Sequence, residues 1–193
     1  MNSIRARLAI FASGNGTNAE AIMRHFGEHP EVHVAMLLSN NSSAFALERA
    51  RKFNVPTRVF TRDQLKGPEV VQWLKEAGVT HVVLAGFLWL IPSSLLTGYP
   101  NRIINIHPAL LPRHGGKGMY GEKVHQAVRA AGDPRTGITI HLVNEHFDEG
   151  KIIFQADCPV TPEDTPETIA KKVHDLEYRH FPPVIEQWVL AGD

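Results

Sequence analysis

Leu8-Ala9-Ile10-Phe11-Ala12-Ser13-Gly14-Asn15-Gly16-Thr17-Asn18 is the stretch that decides the fold. Its first five residues are all apolar, which predicts a buried strand, and its glycine-rich part leads into a helix reaching about Phe26. An apolar segment followed by an amphipathic helix then recurs along the chain. This alternation is typical of an α/β domain with a mostly parallel sheet.

The same rhythm predicts the remaining elements. Further strands are expected at 32–39, 57–60, 82–85, 103–107, 138–143 and 151–158, and further helices at 44–53, 69–77, 121–131 and 166–190. The last two strands are expected to form an antiparallel pair, with Thr139 and His141 on its wetter face. We therefore predict one Rossmann-like α/β domain over residues 1–193, with mixed C-terminal strands and helices on both faces of the sheet.

Composition excludes several classes of protein. Twenty basic residues balance twenty acidic ones, so no overall charge favours binding to nucleic acid or to a membrane surface. Cys158 is the only cysteine, which rules out an internal disulfide and a multi-thiolate metal site. Residues 1–7 have no signal-peptide pattern, and the longest apolar stretch, 82–92, is too short to cross a bilayer. We expect a soluble, cytoplasmic protein.

The loop before the first helix is a candidate binding site. Backbone N–H groups at a helix N-terminus and the positive end of the helix dipole attract anions. Gly14 and Gly16 allow a ligand to approach closely, while Thr17 and Asn18 add hydroxyl and amide groups. Ser39-Asn40-Asn41 stands where a dinucleotide site would carry its acid, so a single phosphate monoester is the preferred ligand. A glycine turn with a Thr or Asn helix cap is the structural alternative.

The segment Asn105-Ile106-His107-Pro108 is the candidate catalytic motif. Asn105 and His107 lie two residues apart at the end of a predicted strand, so their side chains project from one face. With the carboxylate of Asp148 folded back against them, they suit stabilising an oxyanion while a proton moves. A structural histidine and a turn acid are the alternatives. No histidine cluster has metal-ligand spacing, and no serine or cysteine has the context of a covalent nucleophile.

A third segment, Leu84-Ala85-Gly86-Phe87-Leu88-Trp89-Leu90-Ile91-Pro92, remains apolar from a predicted strand end through a glycine. Its large apolar side chains are suited to forming a wall for a flat aromatic ligand. Taken alone, the same residues are better explained as part of the core beneath a loop, so this segment supports a binding site only together with a neighbouring motif.

Four segments together carry a resemblance to a known family. Residues 13–18, 84–87, 105–112 and 148–155 resemble the phosphoribosylglycinamide formyltransferases, and the likeness covers essentially the whole chain in order, including 177–182. The Asn-x-His-Pro motif with its later aspartate is shared by all folate-dependent formyltransferases. The glycine-rich loop is what indicates the branch that acts on glycinamide ribonucleotide.

This resemblance implies transfer of the formyl group of 10-formyltetrahydrofolate to the amine of 5-phosphoribosylglycinamide, in purine biosynthesis and without a metal. It implies that Asn105 stabilises the oxyanion, that His107 moves a proton, and that Asp148 holds and polarises His107. The implied ribonucleotide-binding residues, in the N-terminal half (1–100) and at the chain's end, are Gly14, Asn15, Gly16, Thr17, Asn18 and Glu177. The implied folate-binding residues are Phe87, Leu88, Leu90, Ile91, Asn144, Glu145 and His146. The half 101–193 would then hold the catalytic residues.

Some residues depart from the family pattern. The 113–123 loop is longer and richer in glycine than in common members, and its Lys117 is a candidate phosphate contact. Trp89 replaces a basic residue of some relatives, and Arg62 is only a candidate for holding the folate glutamate tail.

Other functions stay open at this point. The alternatives are another folate-dependent formyltransferase, a formyltetrahydrofolate hydrolase and a non-catalytic nucleotide-binding regulator, with an NAD oxidoreductase weaker for lack of the ribose-binding acid. A formyltransferase that acts on tRNA is expected to have a basic C-terminal domain. The zero net charge of this chain argues against such a domain. We expect small-molecule substrates only, and a monomer or a weak homodimer.

Overall fold

Within residues 3–191, which the computed structural model describes, seven strands form one sheet. The strands are β1 (Ala6–Phe11), β2 (Val32–Ser39), β3 (Thr57–Val59), β4 (His81–Leu84), β5 (Ile103–His107), β6 (Arg135–Leu142) and β7 (Ile152–Pro159). The helices are α1 (Thr17–Phe26), α2 (Phe45–Lys52), α3 (Arg62–Lys66), α4 (Glu69–Glu76), α5 (Ser93–Gly98), α6 (Glu122–Ala131) and α7 (Pro166–Leu190). Residues 1–2 and 192–193 of the predicted domain lie outside the described residues.

The strand order, β3-β2-β1-β4-β5-β6-β7, creates a crevice in the middle of the sheet. From β1 the chain moves outward to β2 and β3 and then returns to β4 on the other side of β1. Strands β1 to β5 pair in parallel, whereas β6 and β7 join as antiparallel strands. The point where the order reverses, between β1 and β4, is where open α/β sheets bind ligands at the carboxyl ends of their strands.

Helices cover both faces of this sheet, and alternate residues of β1 belong to different cores. Leu8 and Ile10 pack with apolar residues of α1, α2 and α7. Ala9 and Phe11 pack on the opposite face with residues of α3, α4 and α5. Because β1 is buried on both faces, its sequence is apolar without alternation, as expected of a central parallel strand. The predicted α/β architecture is confirmed.

The polar side of β6 is buried, so the prediction of a wetter face at Thr139 and His141 is wrong. Thr139 is 0% exposed and His141 only 2%. The Thr139 hydroxyl donates to the carbonyl of Ala109 at 2.7 Å and accepts the backbone N–H of Leu111 at 3.0 Å. The chain leaving β5 therefore covers this face and satisfies its polar group. A buried hydroxyl needs such partners, which explains threonine at this position.

Two short helices, α3 and α5, were not predicted from the sequence. Helix α3 spans only five residues, too few for apolar periodicity to show. It begins with a capping box, in which the Thr61 hydroxyl accepts the Gln64 N–H and the Gln64 side chain accepts the Thr61 N–H. Helix α5 follows Pro92. None of the helices in residues 3–191 is long and apolar enough to cross a membrane.

Helix α1 starts at a glycine that no other residue can replace without strain. Gly16 is its N-cap, with φ of 76° in the left-handed region and no side-chain cap. A Cβ at Gly16 would lie 2.5 Å from the Cβ of Ala46 at the start of α2. The close approach of the two helices thus requires glycine, and the N–H groups of the first turn have no side-chain acceptor at Gly16. The structural alternative for this loop, a Thr or Asn cap on the helix, is therefore not what begins α1.

We expect Gly16→Ala to destabilise the fold. The added methyl must displace Ala46, and alanine is strained at positive φ, so the free energy of unfolding should fall by about 1–3 kcal/mol. Gly14→Ala is the matched control, because no atom lies within 4 Å of its Cβ. Urea denaturation followed by circular dichroism measures both variants, and equal midpoints would contradict the packing argument.

Candidate active site

A cleft of about 1040 Å³ opens at the carboxyl ends of β1, β4 and β5. Its lining comes from five loops and one helix face: residues 14–18, 84–91, 105–108, 116–122, 146–148, and several positions on α7 including His174 and Glu177. Arg62, His125, His141 and Val143 complete it. The three segments that the sequence analysis selected separately therefore meet in one cavity.

One end of the cleft is the N-terminus of α1, and all five predicted residues from Gly14 to Asn18 line it. The first N–H groups of a helix have no acceptor within the helix, and they lie at the positive end of its dipole. Arg49 supports the loop, because its guanidinium donates to the carbonyl of Asn15 at 2.8 Å and to the Asn15 side chain at 3.0 Å. This end of the cleft can bind an anion such as a phosphate.

Glu177 lies beside this end of the cleft, in contact with Asn18, and is 4% exposed. Its Oε2 accepts the Asn18 side-chain N–H at 3.0 Å and is 2.9 Å from Nδ1 of His174. The hydrogen bond to Glu177 raises the pKa of His174. The carboxylate is thus held by two residues while still reaching the cavity, where its acceptor oxygens suit a ligand's hydroxyl groups.

His125 and His174 line the same wall and were both missed by the sequence analysis. Their ring centroids lie 6.3 Å apart. Burial lowers the pKa of His125 to about 4, with a further lowering contribution from His174, so this ring is neutral at pH 7. The spacing of His174 and Glu177, three residues apart on a helix, was the signal available for His174. No local pattern marks His125.

Asn105, His107 and Asp148 come together at the end of β5, as predicted from their pattern. Nδ1 of His107 lies 3.4 Å from Oδ2 of Asp148. Nε2 of His107 lies 2.7 Å from the carbonyl of His114, to which it donates. The neutral imidazole therefore carries its proton on Nε2, and its basic Nδ1 is unprotonated and close to the carboxylate. Burial lowers the pKa of His107, although Asp148 acts to raise it.

Asp148 is the anionic centre of the group. It adopts a positive φ of 59°, which is uncommon outside glycine. Burial acts to raise the pKa of Asp148, but His141, His107 and the Gly116 N–H outweigh it, so the pKa lies below its usual value. The Gly116 N–H donates to Oδ2 at 3.0 Å. Asp148 is therefore a carboxylate at neutral pH, placed to stabilise a positive charge on His107.

Two polar groups of the protein lie near the side-chain nitrogen of Asn105, both at long hydrogen-bond distances. Its Nδ2 is 3.2 Å from Nε2 of His141 and 3.4 Å from Oδ1 of Asp148. Nδ1 of His141 lies 2.8 Å from the carbonyl of Leu142, and its Nε2 lies between the Asn105 amide and Oδ1 of Asp148, 3.6 Å from the latter. Hydrogen bonds as long as those of Asn105 are weak, so an oxyanion in the cleft can compete for an N–H of Asn105.

The sequence pattern predicts His141 only as a residue on the wetter face of a strand and not as a site residue. It lies directly opposite Asn105 in the antiparallel pairing of β5 with β6. Its polar side chain in a buried strand was the available signal, but register cannot be read from a single sequence.

The apolar wall lies at the other end of the cleft. Phe87, Leu88, Leu90 and Ile91 all line it, with Leu88 and Leu90 45% and 43% exposed and therefore available to a ligand. His146 lines it as well. Asn144 and Glu145 are outside the lining: the Asn144 side chain accepts the N–H of His146 at 3.0 Å, and the Glu145 side chain is 73% exposed.

The family departures also lie around the cleft. The Arg62 guanidinium stands 4.4 Å from the centroid of the Trp89 ring, and both residues line the cavity. This is the distance of a cation–π contact. Lys117 is an exposed part of the lining.

Among residues 3–191, no group of three or more His, Cys, Asp or Glu side chains is arranged to hold a metal ion.

Comparison with known sequences gives one family. Residues 6–185 match the profile of the family described as formyl transferase. The chloroplastic phosphoribosylglycinamide formyltransferase of Arabidopsis thaliana is 42% identical over 188 residues, which cover 94% of this chain and 64% of that protein. The phosphoribosylglycinamide formyltransferase of Bacillus subtilis (strain 168) is 36% identical, with coverage of 94% and 93%. The chain thus spans less than two thirds of the plant relative's length.

Solved structures agree with this result. The crystal structure of phosphoribosylglycinamide formyltransferase from Anaplasma phagocytophilum matches with a TM-score of 0.88 and 33% identity, covering 96% of this chain and 87% of that one. The enzyme of the same name from Bacillus halodurans matches with a TM-score of 0.85 and 37% identity, covering 95% of each chain. The predicted fold and the predicted resemblance are both confirmed.

We expect His107 to titrate below its usual pKa of 6.5 and to be neutral at pH 7, because burial disfavours the imidazolium. In Asp148→Asn the pKa should fall further, since the carboxylate that favours the charged ring is lost. Proton NMR of the His107 ring measures both values. Asp157→Asn, at an exposed carboxylate of β7, should leave the pKa unchanged. A rise of the pKa in Asp148→Asn would contradict this electrostatic account.

Proposed function

The chain belongs to the formyl transferase family, and on that premise we propose that it transfers the formyl group of 10-formyltetrahydrofolate to the amine of 5-phosphoribosylglycinamide. The products are formylglycinamide ribonucleotide and tetrahydrofolate, a step of purine biosynthesis. One observation carries the proposal: Asn105, His107 and Asp148 converge in a cleft that has an anion site at one end and an apolar wall at the other.

The ribonucleotide occupies the end of the cleft formed by α1. Its phosphate accepts hydrogen bonds from N–H groups of the first turn of α1 and of the loop formed by Gly14, Asn15 and Gly16. The side chains of Thr17 and Asn18 add further hydrogen bonds. The carboxylate of Glu177 accepts hydrogen bonds from the hydroxyl groups of the ribose. With the phosphate bound there, the rest of the substrate extends along the cleft, and its amine reaches the end of β5.

The folate occupies the apolar end. Its pteridine ring stacks within the slot made by Phe87, Leu88, Leu90 and Ile91, with His146 on the opposite loop. Asn144 and Glu145 contribute by holding this loop rather than by side-chain contact, since Asn144 accepts the N–H of His146. Arg62, at the cleft edge beside Trp89, supplies a positive charge for the glutamate tail.

In the reaction, the amine nitrogen attacks the formyl carbon and forms the new C–N bond, giving a tetrahedral oxyanion. Asn105 donates an N–H to this oxygen. His107 accepts the amine proton at Nδ1, and Asp148 stabilises the resulting imidazolium. The bond between the formyl carbon and N10 of the folate then breaks, and the proton passes from His107 to N10. The reaction therefore transfers only the formyl group, from the folate to the amine, and one proton, from the amine to the folate.

We extend the proposal to the setting of the enzyme: a single formyltransferase domain, cytoplasmic, and a monomer or a weak homodimer that acts on small molecules alone. The continuous sheet, which spans both halves of the chain, supports a single domain. Two plant relatives are named as chloroplastic, and that location is a property of those two proteins. Analytical ultracentrifugation over a range of concentrations tests the oligomeric state, and a stable tetramer would contradict it.

The direct test is an assay of the purified protein with glycinamide ribonucleotide and 10-formyl-5,8-dideazafolate, following release of the deformylated folate. Release that requires the ribonucleotide and is lost in Asp148→Asn supports the transferase and its site. Release without the ribonucleotide would instead indicate a hydrolase. Absence of release while the folate analogue still binds would exclude this acceptor.

We expect Asn105→Ala to be nearly inactive. Loss of an oxyanion donor typically raises the barrier by about 3–4 kcal/mol, which corresponds to a drop of roughly 100- to 1000-fold in kcat. The KM for the ribonucleotide should change little, because Asn105 lies at the end of β5 and is not one of the residues proposed to bind the phosphate or the ribose. Steady-state kinetics measures both constants, and near-normal turnover would exclude the assigned role.

We expect Glu177→Gln to act mainly on ribonucleotide binding. The neutral amide keeps the shape of the side chain but accepts hydroxyl hydrogen bonds more weakly, so KM for the ribonucleotide should rise by about tenfold. The KM for the folate, bound at the other end of the cleft, serves as the internal control. A larger effect on the folate than on the ribonucleotide would show that Glu177 does not contact the ribose.

A further inference from the structure

The turn formed by residues 114–116 contacts both members of the catalytic pair. The carbonyl of His114 accepts the Nε2–H of His107 at 2.7 Å, and the N–H of Gly116 donates to Asp148 at 3.0 Å. These are backbone groups, so their positions depend on the conformation of the turn. Whatever holds this turn in place also sets the orientation of His107.

A buried carboxylate holds the turn from behind. Asp133 is 7% exposed and lies just after α6, where its N–H bonds to the carbonyl of Val128 in the helix C-terminal turn. Its Oδ2 is 2.6 Å from Nε2 of His114, and its Oδ1 is 2.5 Å from the guanidinium of Arg113. A buried carboxylate requires partners that compensate its lost hydration, so it anchors the His114 ring firmly.

The backbone of His114 needs such an anchor. Its φ is 55°, in the left-handed region that residues other than glycine seldom adopt. A conformation of this kind persists when surrounding contacts enforce it, and it frequently occurs at functional sites. The carbonyl that His107 contacts belongs to this same residue. The strained conformation and the imidazole contact with Asp133 are therefore parts of one arrangement.

We propose that Asp133 and His114 are positioning residues, which hold the His114 carbonyl on Nε2 of His107 and thereby reserve Nδ1 for proton transfer. This inference rests on the proposed function for its catalytic consequence, but its structural core concerns only the orientation and tautomer of His107. Neither residue touches the reacting atoms. Asp133 acts through the ring of His114, and His114 acts through its own carbonyl.

Other charged groups near His107 cannot take over this task. Asp148 lies 3.4 Å from Nδ1, on the other side of the ring, and the hydrogen bonds of His141 and Glu177 go to other residues. The His114 carbonyl is the hydrogen-bond partner of Nε2 among the described residues. If the turn moves, the ring can rotate or its proton can shift to Nδ1, where it would pair with Asp148. Such a proton occupies the nitrogen that must accept the proton of the amine.

The test compares three variants by nitrogen-15 NMR of the His107 ring and by kinetics. His114→Ala removes the anchor but leaves the carbonyl in the chain. His114→Gln replaces the imidazole N–H by an amide N–H of similar reach and should restore the contact with Asp133. Arg113→Ala is the matched control, because it removes the other partner of the Asp133 carboxylate. The Arg113 side chain is 62% exposed. Thermal denaturation monitors the folding of each variant.

We expect the wild-type His107 ring to carry its proton on Nε2. In His114→Ala the ring should show a mixture of tautomers and a lower pKa, with kcat reduced roughly 10- to 100-fold and the KM for the ribonucleotide changed by less than about twofold. His114→Gln should recover most of both properties, and Arg113→Ala should resemble the wild type.

Two results would overturn the inference. One is an unchanged nitrogen-15 signature of His107 in folded His114→Ala, and the other is an equal effect in Arg113→Ala. Wild-type protein that shows the expected tautomer but does not transfer formyl groups would instead count against the proposed function. The NMR result then still decides whether the anchor exists, so the two failures are distinguishable.

Discussion

The contact between the buried ring of His107 and the carboxylate of Asp148 is the interaction on which the site depends. Burial favours a neutral imidazole, while the adjacent carboxylate favours a charged one. The balance gives a base that is unprotonated at neutral pH but whose protonated form is stabilised once it has accepted a proton. Moving either group into solvent would weaken both effects, so the surrounding chain has to bury the two groups together.

The fold provides this environment through its sheet order. Because the chain reverses between β1 and β4, the loop after β1 and the loop after β4 separate at the centre of the sheet and leave a crevice. The parallel strands place an α-helix N-terminus on one side of the crevice and an apolar loop on the other. The antiparallel strands β6 and β7 then close the far side, bringing His141 opposite Asn105 and carrying Asp148 in the loop between them.

Sequence alone predicted the strands β1 to β5, the antiparallel pair and the convergence of Asn105, His107 and Asp148, because these features depend on local patterns and short motifs. It failed where distant segments decide the outcome. Thr139 was assigned to a wetter face, yet the chain leaving β5 covers it and uses its hydroxyl. The places of His125 in the cleft wall and of Asp133 behind the 114–116 turn were not predicted, since their partners lie on other elements of the fold. Local periodicity describes which side a residue faces, but not what covers that side.

The most direct measurement is a crystal structure of the protein with glycinamide ribonucleotide and a folate analogue that cannot transfer its formyl group. Our prediction is that the phosphate binds at the first turn of α1 and that the amine nitrogen lies within about 3.5 Å of Nδ1 of His107. The N–H of Asn105 should point to the formyl oxygen. A phosphate bound elsewhere in the cleft, or an amine facing Nε2 of His107, would contradict it.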